Sequence, residues 1–295
     1  MDEELFELKN YFYLGNFAAA IQEGTTLSVE DLGLKIDKDV YLFRVDIAKG
    51  NLDKVMSKVG DEAPLALRAV KLYATYLKDR SNSVIIIETI KEWMEDAACA
   101  SNSTFLLMCA MIYAQEKDFD NALRLANKGI TMEHKALKVQ IFIAMDRVDN
   151  ANVELEIMRR EDEYATLTQL CSCWVNLASG GSAVQEALYT YQELLERHGS
   201  TEPLLNGVAL CQIALNKYDD AERTLQEALG KNPNHPDTLA NCIVCSTHKK
   251  KRQELVDRYK AQLETVGGED HAWLNAEKQF RTMFDSAVAS AIADA

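Results

Sequence analysis

"TEPLLNGVALCQIALNKYDDAERTLQEALGKNPN", residues 201–234, decides the fold. Ala209 lies in a first helix, Tyr218 at a polar turn, and Ala221, Leu225 and Ala228 in a second helix. Pro233 closes the unit, because proline lacks an N–H and has a fixed φ. Residues four apart share one helix face. A small Ala221 therefore lets a neighbouring helix approach, and Leu225 fills the gap one turn on. A single hairpin of this kind cannot bury its apolar face, whereas stacked copies can.

Copies are present. "YLGNFAAAI" from Tyr13, "AKGNLDKVM" from Ala48, "QEKDFDNAL" from Gln115, "AMDRVDNAN" from Ala144 and "LNKYDDAER" from Leu215 share a turn, an apolar residue and then a small or β-branched one. Those last residues are Ala20, Val55, Ala122, Ala151 and Ala221. Thr89, Ala187 and Leu255 complete the series, with spacings of 35, 34, 33, 29, 36, 34 and 34. Four residues on from most members stands a large apolar residue: Val59, Trp93, Leu155, Tyr191, Leu225 and Tyr259; Gly24 and Ala126 depart from this. A helical period near 34 resembles a tetratricopeptide array, with Gln212 standing where an aromatic is usual. The expected fold is an all-α, tetratricopeptide-like solenoid of seven to eight hairpins over residues 1–265. Residues 266–295 would form a C-terminal capping helix of the same single domain, on the stripe Trp273, Phe280, Phe284, Val288 and Ile292.

Composition narrows the function. Of 295 residues, 32 are Lys or Arg and 46 Asp or Glu, a net charge of -14, which disfavours nucleic acid and anionic headgroups as direct partners. "MDEELFELKN" lacks the basic and apolar regions of a secretory signal. No apolar run reaches the roughly 20 residues that span a bilayer. The seven scattered cysteines read as reduced core thiols of a cytosolic protein. In that setting the "NST" at Asn102 is a coincidental match to a glycosylation acceptor.

"STFLLMCAMIYAQ", residues 103–115, holds ten apolar residues in succession, 105–114. On a helix, Leu106, Ala110 and Tyr113 face the partner helix of the hairpin, and Leu107, Met111 and Ala114 lie roughly 100° round. Equivalent positions in other first helices are Gln140 and Ile143, Asn176, and Asn206, Leu210 and Ile213. Two readings follow. Either Leu107, Met111, Gln140, Ile143, Asn176, Asn206, Leu210 and Ile213, eight residues, form a partner-binding groove, or curvature makes neighbouring hairpins cover them.

No pattern for catalysis, metal or cofactor emerges. Cys242, Cys245 and His248 in "NCIVCSTH" share one helix, where about 9 Å of rise separates Cys242 from His248. Zinc bonds of about 2.0–2.3 Å cannot join them. Cys171 and Cys173 point to different faces. No phosphate-binding glycine loop is present, and "KEWMED" and "RREDEY" read as solvated helix faces. "HKKKR", residues 248–252, reads as the turn between the last two repeat helices. The protein is expected to be no enzyme.

Beyond the repeats, "DEELFELKNYFYLGNF", "STFLLM", "EYATLTQLCSCWVNLASGG" (163–181), "LLNGVALC" and "LQEALGKNPNHPDTLANCIV" occur in this order in the epsilon subunits of coatomer, and the chain resembles that family throughout. The "ATLTQL…W.NLA.GG" pattern is the most specific, since a generic tetratricopeptide repeat does not need it. The resemblance implies a non-catalytic subunit of the COPI coat, cytoplasmic and peripheral on Golgi membranes and vesicles. It would hold the C-terminal region of the coatomer alpha subunit, without direct membrane insertion, in transport between Golgi and endoplasmic reticulum and within the Golgi. The rival is a co-chaperone adaptor that clamps a C-terminal peptide with basic groove residues. The groove positions named above contain none.

Overall fold

The structure is a computed structural model and describes residues 3–268 and 271–293. Among them the secondary structure is entirely helical. Helices pair in chain order: α1 (Phe6–Tyr13) with α2 (Phe17–Thr26), α3 (Leu32–Ala48) with α4 (Leu52–Lys58), and α5 (Leu65–Lys78) with α6 (Ser83–Trp93). A short α7 (Ala97–Ser101) precedes α8 (Ser103–Gln115) and α9 (Phe119–Ala126). Then come α10 (Met132–Ala144) and α11 (Val148–Asp162), α12 (Thr166–Ser179) and α13 (Ala183–His198), α14 (Glu202–Ala214) and α15 (Tyr218–Lys231), and α16 (Pro236–His248) and α17 (Gln253–Gly267). A long α18 (Ala272–Ala293) follows these eight hairpins. Two compact units divide the chain, Met1–Ala187 and Leu188–Ala295.

The turn inside most hairpins is one recurring device. Gly15, Gly50, Lys117, Asp146, Asn216 and Lys250 all have positive φ, between 52° and 77°. Each stands five positions before a member of the series: Ala20, Val55, Ala122, Ala151, Ala221 and Leu255. The N–H after each bonds back across the turn, as in Asn16 to the Tyr11 carbonyl (2.8 Å) and Lys217 to the Gln212 carbonyl (2.8 Å). This Schellman closure satisfies the last carbonyls of the first helix. Asn16 and Asp118 then cap the second helix by accepting the Ala19 and Asn121 N–H groups.

The series marks the packing seams. Ala20, Val55, Ala122, Ala151, Ala187 and Ala221 are wholly buried. The two departures have a reason: a Cβ on Gly24 would lie 2.7 Å from Leu42, so this site must be small, and Ala126 is itself fully buried. Thr89 does not belong to the seam. Ile86 and Ile90 are the buried residues of α6, while Thr89 is half-buried and donates to the Ile85 carbonyl. The hairpin α5–α6 turns through a 3-10 segment, Arg80–Asn82, in place of the Schellman closure, and this shifts its register by one. The short spacing of 29 reflects α9, which is 8 residues long against 14 for α15.

In the first unit, α8 is a core helix. Residues 105–110, Ile112 and Tyr113 are all buried, each large side chain contributing roughly 1.5–3 kcal/mol. In the second unit the core forms around Ala221, Leu225, Leu239, Ile243, Tyr259 and Leu263. Here α18 adds Leu274, Trp273 and a Lys260–Glu277 ion pair (2.9 Å). Its contact with the core ends there: Phe280, Phe284 and Val288 are exposed, and the side chain of Ile292 lies outside the described residues.

Candidate partner-binding surface

Within the first unit, the first helices of several hairpins converge on one cavity of about 360 Å³. From α1 come Phe6, Lys9, Asn10 and Tyr13, and from α3 Asp37, Val40, Tyr41 and Arg44. Both sets have the i, i+3, i+4, i+7 spacing of one helix face. The N-terminal parts of α8, α10 and α12 supply Ser103, Thr104 and Leu107, then residues 131–134, then Thr166 and Leu167.

The polar groups of this lining are largely satisfied among themselves. Arg44 donates to both Glu133 oxygens, Nη2 to Oε1 at 2.6 Å and Nη1 to Oε2 at 3.0 Å. Tyr41 donates to Oε2 at 2.9 Å, and the Tyr13 and Tyr41 hydroxyls are 2.9 Å apart. Arg44 also lies over the rings of Phe12 (4.6 Å) and Tyr41 (5.1 Å). Thr166 Oγ1 donates to Asn10 Oδ1 at 2.7 Å, joining residues 156 positions apart. These links tie the first two hairpins to the fifth and sixth.

Burial would raise the Glu133 carboxyl, but the Arg44 charge and the hydrogen bonds from Arg44 and Tyr41 hold it below the ordinary range. Burial pushes the Tyr13 and Tyr41 hydroxyls up. Burial also holds the His134 imidazole down, favouring the neutral form. Its Nδ1 is 2.7 Å from Thr131 Oγ1, and its ring packs against Gly129, where a Cβ would lie 2.0 Å away.

The residues expected to form a groove are distributed differently. Leu107 is 4% exposed and belongs to the core, with one side on the cavity; half-buried Met111 packs on the same core. Gln140 is exposed, and Ile143 packs on the cluster around Ala151 and Leu155. Asn176 is half-buried. In the second unit Asn206 is buried, donating to Thr238 Oγ1 (2.8 Å) and accepting from Asn241 (3.0 Å). Ile213 packs on the core, while Leu210 is 42% exposed. Of the eight, the cavity takes Leu107 alone. The remaining lining was missed, although the i, i+3, i+4, i+7 sets in α1 and α3, with lone Arg44 inside "VYLFRVDIA", carry the signal.

The other motifs take structural places. Cys242 and Cys245 are buried thiols, Cys242 pushed up to about 12 by burial. His248 stacks on Tyr218 with ring centres 4.8 Å apart. In the basic run, Lys249 pairs with Asp219 and Glu222 (2.5 Å each), and Lys251 with Glu222 (3.2 Å). No helix among the described residues is long and apolar enough to cross a membrane.

Comparison with known proteins yields concordant matches. A family model described as the coatomer epsilon subunit matches residues 1–291. Coatomer subunit epsilon-1 of Arabidopsis thaliana is 41% identical over 248 residues, 83% of this chain and 84% of that protein. Coatomer subunit epsilon of Dictyostelium discoideum is 35% identical over 292 residues, 96% and 97% of the two chains. Among solved structures, a tetratricopeptide repeat protein from Parabacteroides merdae ATCC 43184 has a TM-score of 0.54 at 11% identity, over 93% of this chain and 96% of that one. The Cut9–Hcn1 hetero-tetramer of the APC/C gives 0.60 at 14% identity, over 92% and 53%. At such identities the likeness concerns fold alone, and that fold is tetratricopeptide-like.

Proposed function

Because this chain belongs to the coatomer epsilon subunit family, we propose that it is a non-catalytic COPI coat subunit that holds the C-terminal region of the alpha subunit. In this reading it acts in transport between Golgi and endoplasmic reticulum and within the Golgi. It is cytoplasmic, and reaches the membrane only through the coat complex. The observation that carries the reading is the cavity on which five first helices of the first unit converge. Arg44 is held by Glu133, so its charge is not offered to an incoming segment, and the site favours an apolar stretch of polypeptide over an acidic one. Half-exposed Phe6 stands among its lining residues, available to an incoming segment. The exposed Leu210 of α14 provides a second apolar contact on the other unit.

Co-expression with the alpha subunit's C-terminal domain tests this. Wild-type protein co-purifies with that domain, and Phe6→Asp together with Leu210→Asp reduces recovery at least about tenfold, the equivalent of 1.4 kcal/mol. Both side chains are exposed, so helical circular dichroism is retained. Leu107→Asp would not serve, since it buries a carboxylate in the core. Undiminished recovery of the alpha domain with the double variant would remove this surface from the interface.

A further inference from the structure

A second cavity of the first unit, about 250 Å³, lies where the C-terminal turns of α6 and α9 meet α8. Ile90, Met94, Tyr113 and Leu125 supply its apolar lining. Its charged lining is Lys91, Arg124 and Lys128, and no carboxylate is among the lining residues. All three cations are exposed. Among the described residues none of them makes an ion pair or side-chain hydrogen bond. Elsewhere Lys54, Lys138, Arg159, Lys249 and Lys260 each sit on a carboxylate, as expected in a chain of net charge -14. Helix dipoles do not account for the three. Each C-terminus carries about half a negative charge, so two ends offset about one cation. Tyr113 is 4% exposed, and its hydroxyl has no hydrogen-bond partner among the described residues.

We propose that this cavity docks an acidic polypeptide segment carrying one large apolar side chain. The side chain fills the space between Ile90, Met94 and Leu125 and offers its backbone to the Tyr113 hydroxyl. Flanking carboxylates pair with Lys91, Arg124 and Lys128. The volume falls below the roughly 300–1,000 Å³ of pockets that enclose whole small molecules, so it suits a single anchor. A flat bilayer cannot reach a recessed floor, whereas one side chain of an extended segment can. The site shares no lining residue with the cavity assigned to the alpha subunit, so either can fail without the other.

Fluorescence anisotropy on the full chain tests this with fluorescein-labelled dodecapeptides of Asp and Glu around a single Phe, Leu or Ser. The Phe or Leu peptide is expected to bind with Kd of about 10–100 μM and the Ser peptide at least about tenfold more weakly. Lys91→Gln/Arg124→Gln/Lys128→Gln should lose at least about tenfold in affinity; Arg124→Gln alone is the fallback if the triple variant loses helical signal. Binding should also weaken as salt shortens the Debye length. Absence of saturable binding by both apolar-anchored peptides up to about 1 mM overturns the proposal. So does equal binding of the Ser peptide, or unchanged binding by the variants. Retention on phosphatidylserine vesicles that the triple variant loses, without peptide binding, would reassign the site to lipid.

Discussion

Removing the Arg44 guanidinium should cost the first unit about 3–5 kcal/mol, because it leaves Glu133 buried and unpaired. The side chains are 10% and 15% exposed, so neither recovers much hydration when its partner is lost. Glu133 accepts two hydrogen bonds from Arg44 and one from Tyr41. Arg44→Met removes two of them, and also the stacking on Phe12 and Tyr41. Tyr41→Phe removes one bond to a charged acceptor, worth about 1.5–3 kcal/mol. Replacing both ions, Arg44→Met with Glu133→Leu, should recover most of the loss, since an apolar pair of similar volume is often neutral in such a site. The assay is urea unfolding at pH 7 in a Trp273→Phe background. Emission then reports Trp93 and Trp174, both in the first unit, and avoids mixing two transitions. A double-mutant coupling of at least about 2 kcal/mol is expected. A loss below about 1 kcal/mol for Arg44→Met, or a double variant as unstable as the sum of the single ones, would refute the linkage between early and late hairpins.

Four further outcomes concern this cluster and the hairpin turns. Glu133, held below its ordinary pKa of 4.5, contributes stability that is complete above the unfolded value and is lost as pH falls through the folded one; acid titration should therefore show a steeper loss of stability in wild type than in Glu133→Gln. His134, held below 6.5, behaves as a buried neutral base: stability falls as pH drops from 6.5 toward the folded value, because the unfolded chain takes the proton first. His134→Gln should flatten thermal stability between pH 7 and 5.5, and an identical slope in both proteins would contradict this assignment. Gly50→Ala meets no atom within 4 Å but keeps φ at +77°, so its cost of about 1–2 kcal/mol is torsional; Lys117→Gly, at φ 62°, should gain up to about 1 kcal/mol.

The sequence carried the hairpins because their signals are local. A small residue, a large one four on and a turn five before recur at nearly constant spacing, and six series members are fully buried. It did not carry the Thr89 register, since the α5–α6 turn uses Asp79 and a 3-10 segment with no recurring signature. The apolar run at 103–115 forms α8, a helix with buried residues on most of its surface. Its assignment to a groove missed how closely the first unit draws its own helices over Leu107. That closeness depends on pairs such as Asn10–Thr166 and Arg44–Glu133, separated by 156 and 89 positions. No local pattern announces contacts of that range. The basic run at 248–252 read correctly as a turn, but its pairing with Asp219 and Glu222 on the preceding hairpin did not show.

The most direct measurement places a photocrosslinking benzoylphenylalanine at position 6, beside the first cavity, and at position 84 as a control of comparable exposure on α6. Irradiation with the alpha subunit's C-terminal domain should join that domain to position 6 and leave position 84 free. Equal crosslinking at both positions, or none at position 6 while the complex stays intact, would contradict the assignment of the cavity to the alpha subunit.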